Sequence, residues 1–154
     1  MKGPYIIIAL LAIMQLGTGQ IVEDEHGLFY TENHVLYNGT YTENYDSGKP
    51  RVIMNFKDGR LDGDYFQFFE NGQLHEQRSY RNGMFDGRWI TWNDAGIKIA
   101  EAGYRNDKKH GKWYIWDDTG ILRYEMEYQN GKKTGTWTVY DENGNVSKQN
   151  TFNN

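Results

Sequence analysis

The chain has 154 residues, with 17 Lys and Arg against 21 Asp and Glu for a formal net charge of −4, and no Cys. An acidic chain of about one domain's length has no electrostatic footprint for nucleic acid, and without Cys it has neither a disulfide framework nor a thiolate metal site. Hydrophobic residues reach only 38% while aromatics reach 16%, a balance that suits thin β-structure, where rings pack on a pleated surface, better than a thick helical core.

Residues 1–19 differ in character from the rest. Lys2 is followed by the apolar run Ile6–Leu16 and then by the small residues Gly17, Thr18 and Gly19. That order predicts a secretory signal cleaved after Gly19. The run is eleven residues long, short of the roughly 20 needed to span a bilayer. The expectation is an exported protein, periplasmic or secreted, with no transmembrane span after cleavage.

Residues 20–38 (QIVEDEHGLFYTENHVLYN) match the pattern downstream poorly and predict an atypical N-terminal cap. From residue 39 to 154 the chain repeats itself five times at a fixed step. Gly39, Gly63, Gly87, Gly111 and Gly135 fall 24 residues apart, as do Gly48, Gly72, Gly96, Gly120 and Gly144. One aromatic column reads Tyr41, Tyr65, Trp89, Trp113, Trp137, and a second reads Phe56, Tyr80, Tyr104, Tyr128, Phe152. A third reads Phe68, Trp92, Trp116, Tyr140, with Asn44 in its first place. Such register without an insertion marks tandem structural units.

Two turn signals punctuate each unit. Asp58-Gly59, Asn82-Gly83 and Asn130-Gly131 suit two-residue type I′ turns, where both central residues need φ > 0. Asn106-Asp107 holds that place in the fourth unit, and Asp second makes it the least comfortable of the set. The segments YDSG, FENG, NDAG, DDTG and DENG each place an acid two residues before Gly, as expected of a three-residue hairpin loop closed by a left-handed Gly. Strand-like segments lie between, so each unit is a β-hairpin, and the fold class is all-β: an elongated antiparallel meander of tandem 24-residue hairpins. The three-residue spacing of Trp113 and Trp116 leaves two arrangements open. Either both sheet faces carry aromatics, or a bulge brings both rings to one face.

The stretches NDKKHGKWYIWDDTG (106–120) and NGKKTGTWTVYDENG (130–144) resemble the MORN-type repeat, and more closely its bacterial variant, found in proteins often labelled as antitoxins. The resemblance spans roughly residues 33–152. It implies an open antiparallel meander serving as an interaction or scaffold surface. In that family some members bind lipid headgroups and others bind proteins.

Motifs for chemistry give way to plainer readings. His26, His34, His75 and His110 do not recur at the repeat step, and none has a metal-ligand spacing. DENGN (141–145) begins like a calcium loop, but Val146 and Phe152 stand where that loop needs Gly and Glu. NGKKTGT (130–136) lacks the leading Gly of a phosphate loop. The pairs Asp117-Asp118 and Asp141-Glu142 are adjacent on turns rather than opposed across a cleft, and no Ser lies in a G-x-S-x-G elbow. The sequence thus predicts no catalytic residue, metal or cofactor. It predicts a binding or scaffold protein for an unidentified protein partner or envelope component. The candidate binding residues are Phe68, Trp92, Trp116 and Tyr140, together with Trp89, Trp113 and Trp137. The alternatives are a carbohydrate- or cell-wall-binding module that stacks sugars on those rings, and an antitoxin or immunity protein.

Overall fold

The computed structural model describes residues 21–153, so the segment expected to be a signal lies outside the described residues. Two short strands, β1 (Ile21–Glu23) and β2 (Phe29–Thr31), pair in a small sheet of their own. The rest is one 11-stranded antiparallel sheet. Its first strands are β3 (Gly39–Asn44), β4 (Pro50–Lys57), β5 (Arg60–Phe68), β6 (Leu74–Arg81), β7 (Met84–Trp92) and β8 (Lys98–Arg105). It continues through β9 (Lys108–Lys109), β10 (Gly111–Trp116), β11 (Leu122–Gln129), β12 (Lys132–Tyr140) and β13 (Val146–Phe152). Neighbours in space are neighbours in sequence, from β3 at one edge to β13 at the other, with β9 pairing β8 just ahead of β10. The meander expected from the turn spacing is the fold.

The turn chemistry explains the strand boundaries. The two-residue turns hold both residues at positive φ: 50° and 71° at Asp58-Gly59, 50° and 80° at Asn82-Gly83, 47° and 62° at Asn106-Asp107, and 50° and 86° at Asn130-Gly131. That backbone matches the right-handed twist of the flanking strands. At the opposite ends, the Gly48, Gly72, Gly96, Gly120 and Gly144 amides donate back to the carbonyls of Tyr45, Phe69, Asn93, Asp117 and Asp141, which closes the three-residue loops.

Successive units are also tied to each other through their turns. The amides of Gly59, Gly83, Asp107 and Gly131 donate to the carbonyls of Tyr37, Leu61, Phe85 and Lys109, at 2.8–3.0 Å. A side chain 20 positions upstream accepts the amide of the turn's first residue in four units: Asn38 for Asp58, Asp62 for Asn82, Asp86 for Asn106 and, at 3.5 Å, His110 for Asn130. Ahead of β3, the Phe29 amide donates to the Gly59 carbonyl and the Tyr37 amide to the Phe29 carbonyl, while the Phe29 ring packs on Phe56 at 4.8 Å.

No second layer covers this sheet among the described residues, and each strand packs chiefly against its ladder neighbours. Burial is therefore sparse. Tyr41, Val52, Phe56 and Ile90 form the buried apolar set, whereas most rings are half-buried against one another.

Both faces carry aromatics. β10 runs unbroken from Gly111 to Trp116, so Trp113 and Ile115 share one face and Tyr114 and Trp116 the other. The ring contact between Tyr114 and Trp116, 5.6 Å apart, agrees with that. Bulges do recur, but elsewhere. One lies just before each three-residue loop, as between Ile115 and Trp116 on the pairing with β11. The other lies at the motif glycines: Met54 pairs with Tyr65 and Phe56 with Leu61, so three residues centred on Gly63 face the single Asn55. Around Gly87 the arrangement is the same, opposite Ser79.

Candidate functional site

The first face is built from the columns that begin at Tyr41 and Phe56. From the third unit onward their rings interlock in a continuous zigzag: Trp89–Tyr104 at 5.7 Å, Tyr104–Trp113 at 5.3 Å, Trp113–Tyr128 at 5.2 Å, Tyr128–Trp137 at 5.1 Å and Trp137–Phe152 at 5.0 Å. Burial among these rings pushes the Tyr104 hydroxyl's pKa up. Two indole N–H groups are anchored to backbone, Trp113 to the Gly103 carbonyl and Trp137 to the Glu127 carbonyl, each at 3.0 Å. Of the predicted candidates, Trp89, Trp113 and Trp137 belong to this ribbon and hold the units together.

A further column on the same face escapes a search for residue identity. It reads Tyr37, Leu61, Phe85, Lys109 and Lys133. The glycine bulge folds each of these back toward the ring four positions later. Phe85 stacks on Trp89, Lys109 Nζ sits 4.3 Å from the Trp113 ring centre, and Lys133 Nζ sits 4.5 Å from that of Trp137. Aromatic stacking thus gives way to cation–π contact along the chain, since a ring face attracts either partner. The signal available in the sequence was the Gly two residues on, not the residue itself.

Arg78 is the other residue the sequence did not flag. It pairs across the ladder with Tyr65 on one side and Trp89 on the other. Its guanidinium carbon lies 4.9 Å and 4.4 Å from those two ring centres, and Glu76 pairs with it. Burial pulls the Arg78 pKa down, but Tyr80 and Glu76 outweigh it and leave it raised, so the group stays charged.

The second face carries the other candidates, Phe68, Trp92, Trp116 and Tyr140. Successive members stand two strands apart, about 9.5 Å by strand spacing. They do not interlock as the first face does. Instead Phe68 meets Phe66 at 6.5 Å, Trp116 meets Tyr114, and Lys98 Nζ lies 4.3 Å over the Trp116 ring. Ion pairs fill the space between. Glu101 holds Arg88 and Lys98 at 2.8 and 2.9 Å, and Glu125 holds Lys112 at 2.8 Å. Lys112 is the main cause of a lowered Glu125 pKa, with burial opposing it and the Tyr140 hydroxyl assisting. Burial pushes Glu101 up, and Lys98 and Arg88 outweigh it to hold the carboxyl below its ordinary value.

The carboxylates at the loops serve the backbone. Asp117 Oδ1 accepts from the Thr119 hydroxyl and from the amides of Thr119 and Ile121, and Asp141 Oδ1 accepts from the amides of Asn143 and Asn145. His75 stacks on Phe69 at 4.4 Å, and the Asn130 amide points to His110 Nδ1. No group of three or more His, Asp or Glu among the described residues is placed to hold a metal ion.

The 24-residue unit now has a geometry: a strand with a glycine bulge, a three-residue loop, a returning strand and a type I′ turn. A family model described as the MORN repeat variant matches the chain at residues 37–58, 61–82, 109–130 and 133–154, more than half of its length. The chain belongs to the MORN repeat variant family. The intervening segment 85–106 is not among the matched ones, yet β7 and β8 pair there in the register of its neighbours, with Gly87 opposite Tyr104 as Gly63 is opposite Tyr80. No curated protein matches the chain. MORN repeats are non-catalytic modules that generally bind proteins or membranes.

Proposed function

We propose that this MORN protein is an exported, non-catalytic repeat protein whose open sheet binds a protein partner or another envelope component. The observation that carries the reading is the second-face column of Phe68, Trp92, Trp116 and Tyr140. These rings recur in four of the five units, stand apart from the ribbon that holds the fold, and lie under no second layer among the described residues. Several equal patches at fixed spacing give affinity by acting together, since each further contact is made at high effective concentration. The test is an affinity pull-down from envelope extract with the chain and its Trp92→Ala/Trp116→Ala variant, both checked by circular dichroism. A partner identified by mass spectrometry with the parent and lost with the folded variant supports the reading. Equal capture by both removes this column as the surface.

A second reading, glycan binding, draws on one observation. Tyr114 and Trp116 stack at 5.6 Å with planes 29° apart and form a broadened aromatic platform on the second face. Titrating tryptophan fluorescence with cell-wall saccharides tests it, and no shift at millimolar sugar rules it out.

A further inference from the structure

One ladder row crosses the whole sheet on the first face, beside the ring ribbon, and its two halves differ. In the first units it holds Glu43, Gln67 and Glu76, and the two acids are paired with Arg51 and Arg78. From β8 to β12 the row turns apolar. Ala100 pairs with Ile115, Ile115 with Tyr124, and Tyr124 with Val139. Ile115 and Tyr124 are 39% and 44% exposed, and no ring contact engages Tyr124 among the described residues. Lys148 ends the row at the open edge, where its ammonium reaches water.

Opposite charges flank this apolar row. Two residues ahead of Ile115 and Val139 stand Trp113 and Trp137, with Lys109 and Lys133 over their rings. Two residues beyond them stand Asp117 and Asp141, followed by the exposed Asp118 and Glu142. Arg123 holds Asp117, but no ion pair engages Lys109, Lys133, Asp118 or Glu142 among the described residues. Such a surface is its own complement. We infer that a second copy of this chain docks on it, related by a two-fold axis that runs along the row. That axis reverses the strands and lays one apolar row on the other. It brings Lys133 to the loop that follows the same strand in the other copy, at Glu142, and Lys109 to Asp118. An axis along the strands would set lysine against lysine, which costs affinity. The contact spans five strands by the length between lysine and loop, about 24 by 25 Å or roughly 600 Å² on each copy. That is the lower end of what a specific dimer buries, so the dimer forms at micromolar concentration. It uses the face opposite Trp92 and Trp116, goes beyond the role proposed above, and leaves that column open on both copies.

A chain without Cys lets the geometry be read by cross-linking. Packed sheets stand about 10 Å apart, too far for a disulfide, so a short bis-maleimide is applied to Ile115→Cys. With the axis along the row, residue 115 faces its own copy, and this variant is captured as a dimer. Val35→Cys, in the cap and 62% exposed, is not captured and controls for chance collision. Sedimentation of the full chain over a micromolar concentration series reads the affinity. Ile115→Lys, checked by circular dichroism, stays monomeric. Lys133→Glu and Glu142→Lys each weaken the dimer roughly tenfold, because a two-fold contact repeats every change, and the two together restore it. The inference is overturned if the parent chain stays monomeric throughout, if the two Cys variants cross-link alike, if Ile115→Lys still dimerises, or if the double exchange restores nothing. Should Ile115→Lys fold poorly, the cross-linking pair decides by itself. Dimerisation retained in Trp92→Ala/Trp116→Ala while its partner is lost separates this contact from the surface proposed above.

Discussion

Phe85 and Trp89 lie four positions apart in one strand, yet their rings stack 5.2 Å apart with planes 16° from parallel. In a regular strand four residues advance the chain by about 13 Å. The bulge around Gly87, with φ at +119°, removes that distance by folding three residues against the single Ser79. The glycine of the repeat motif is therefore the hinge that turns a strand into a ring clamp, and the clamp links each unit to the next.

Gly87→Ala tests the hinge. A Cβ there adopts a backbone region hostile to L side chains and meets Ser79 Cβ at 2.9 Å. The expected loss is roughly 1–3 kcal/mol, read from urea midpoints. Adding Ser79→Gly relieves the overlap but not the backbone strain, so the double variant recovers part of the loss. Full recovery would mean that the φ angle costs nothing.

Gly103 has a different reason to be glycine. Its backbone is not in the left-handed region, but a Cβ would overlap the His110 carbonyl oxygen, where β9 gives way to β10. Column mates Asn55, Ser79 and Glu127 face β5, β7 and β12, which bulge but run on as single strands there. Gly103→Ala is expected to cost roughly 1–3 kcal/mol as an overpacking change. It should also loosen the Trp113 indole from the Gly103 carbonyl, visible as a red shift in tryptophan emission.

Turns and ring columns were legible in the sequence because their physics restricts the residue. Positive φ at Gly59, Gly83 and Gly131 leaves little choice, and a fixed 24-residue step makes the restriction visible. The column from Tyr37 to Lys133 was not legible, since a ring face accepts Tyr, Leu, Phe or Lys and no identity survives to align. Nor was the placing of Trp113 and Trp116 on opposite faces, because a bulge could have fallen between them. Arg78, Ala102 and Asn150 depart from the Met54 and Met126 of their column, and only ladder pairing shows what each one faces.

The Asn106-Asp107 turn corrects an expectation in part. Asp107 does hold φ at +62°, costly for a side-chain-bearing residue, but its Oδ1 accepts the Phe85 amide at 2.8 Å while its own amide donates to the Phe85 carbonyl. The carboxylate thus secures a link to the preceding unit that glycine cannot make. Asp107→Gly exchanges strain for that bond and should change stability by no more than about 0.5 kcal/mol, whereas Asp107→Ala keeps the strain and loses the bond, at roughly 1–2 kcal/mol. Thermal unfolding of the two variants ranks them. A clear gain for Asp107→Gly would show the bond to be idle.

Asp117 gives the fold a defined acid response. The Thr119 hydroxyl lowers its carboxyl most; burial opposes, and the Ile121 and Thr119 amides with Arg123 add to the lowering, taking it from 3.8 to about 2. A folded pKa below the unfolded one means that the unfolded chain binds the proton first. The stabilisation is therefore complete above about pH 4 and disappears as pH falls toward 2. Asn93 makes the same two backbone contacts one unit earlier, to Ala95 and Ile97, so Asp117→Asn preserves the loop. It removes only the charge and its pairing with Arg123, at 2.9 Å in the parent. Urea midpoints of parent and variant should differ most above pH 4 and converge near pH 2. A gap that stays constant over that range would assign the loop's stability to hydrogen bonding alone.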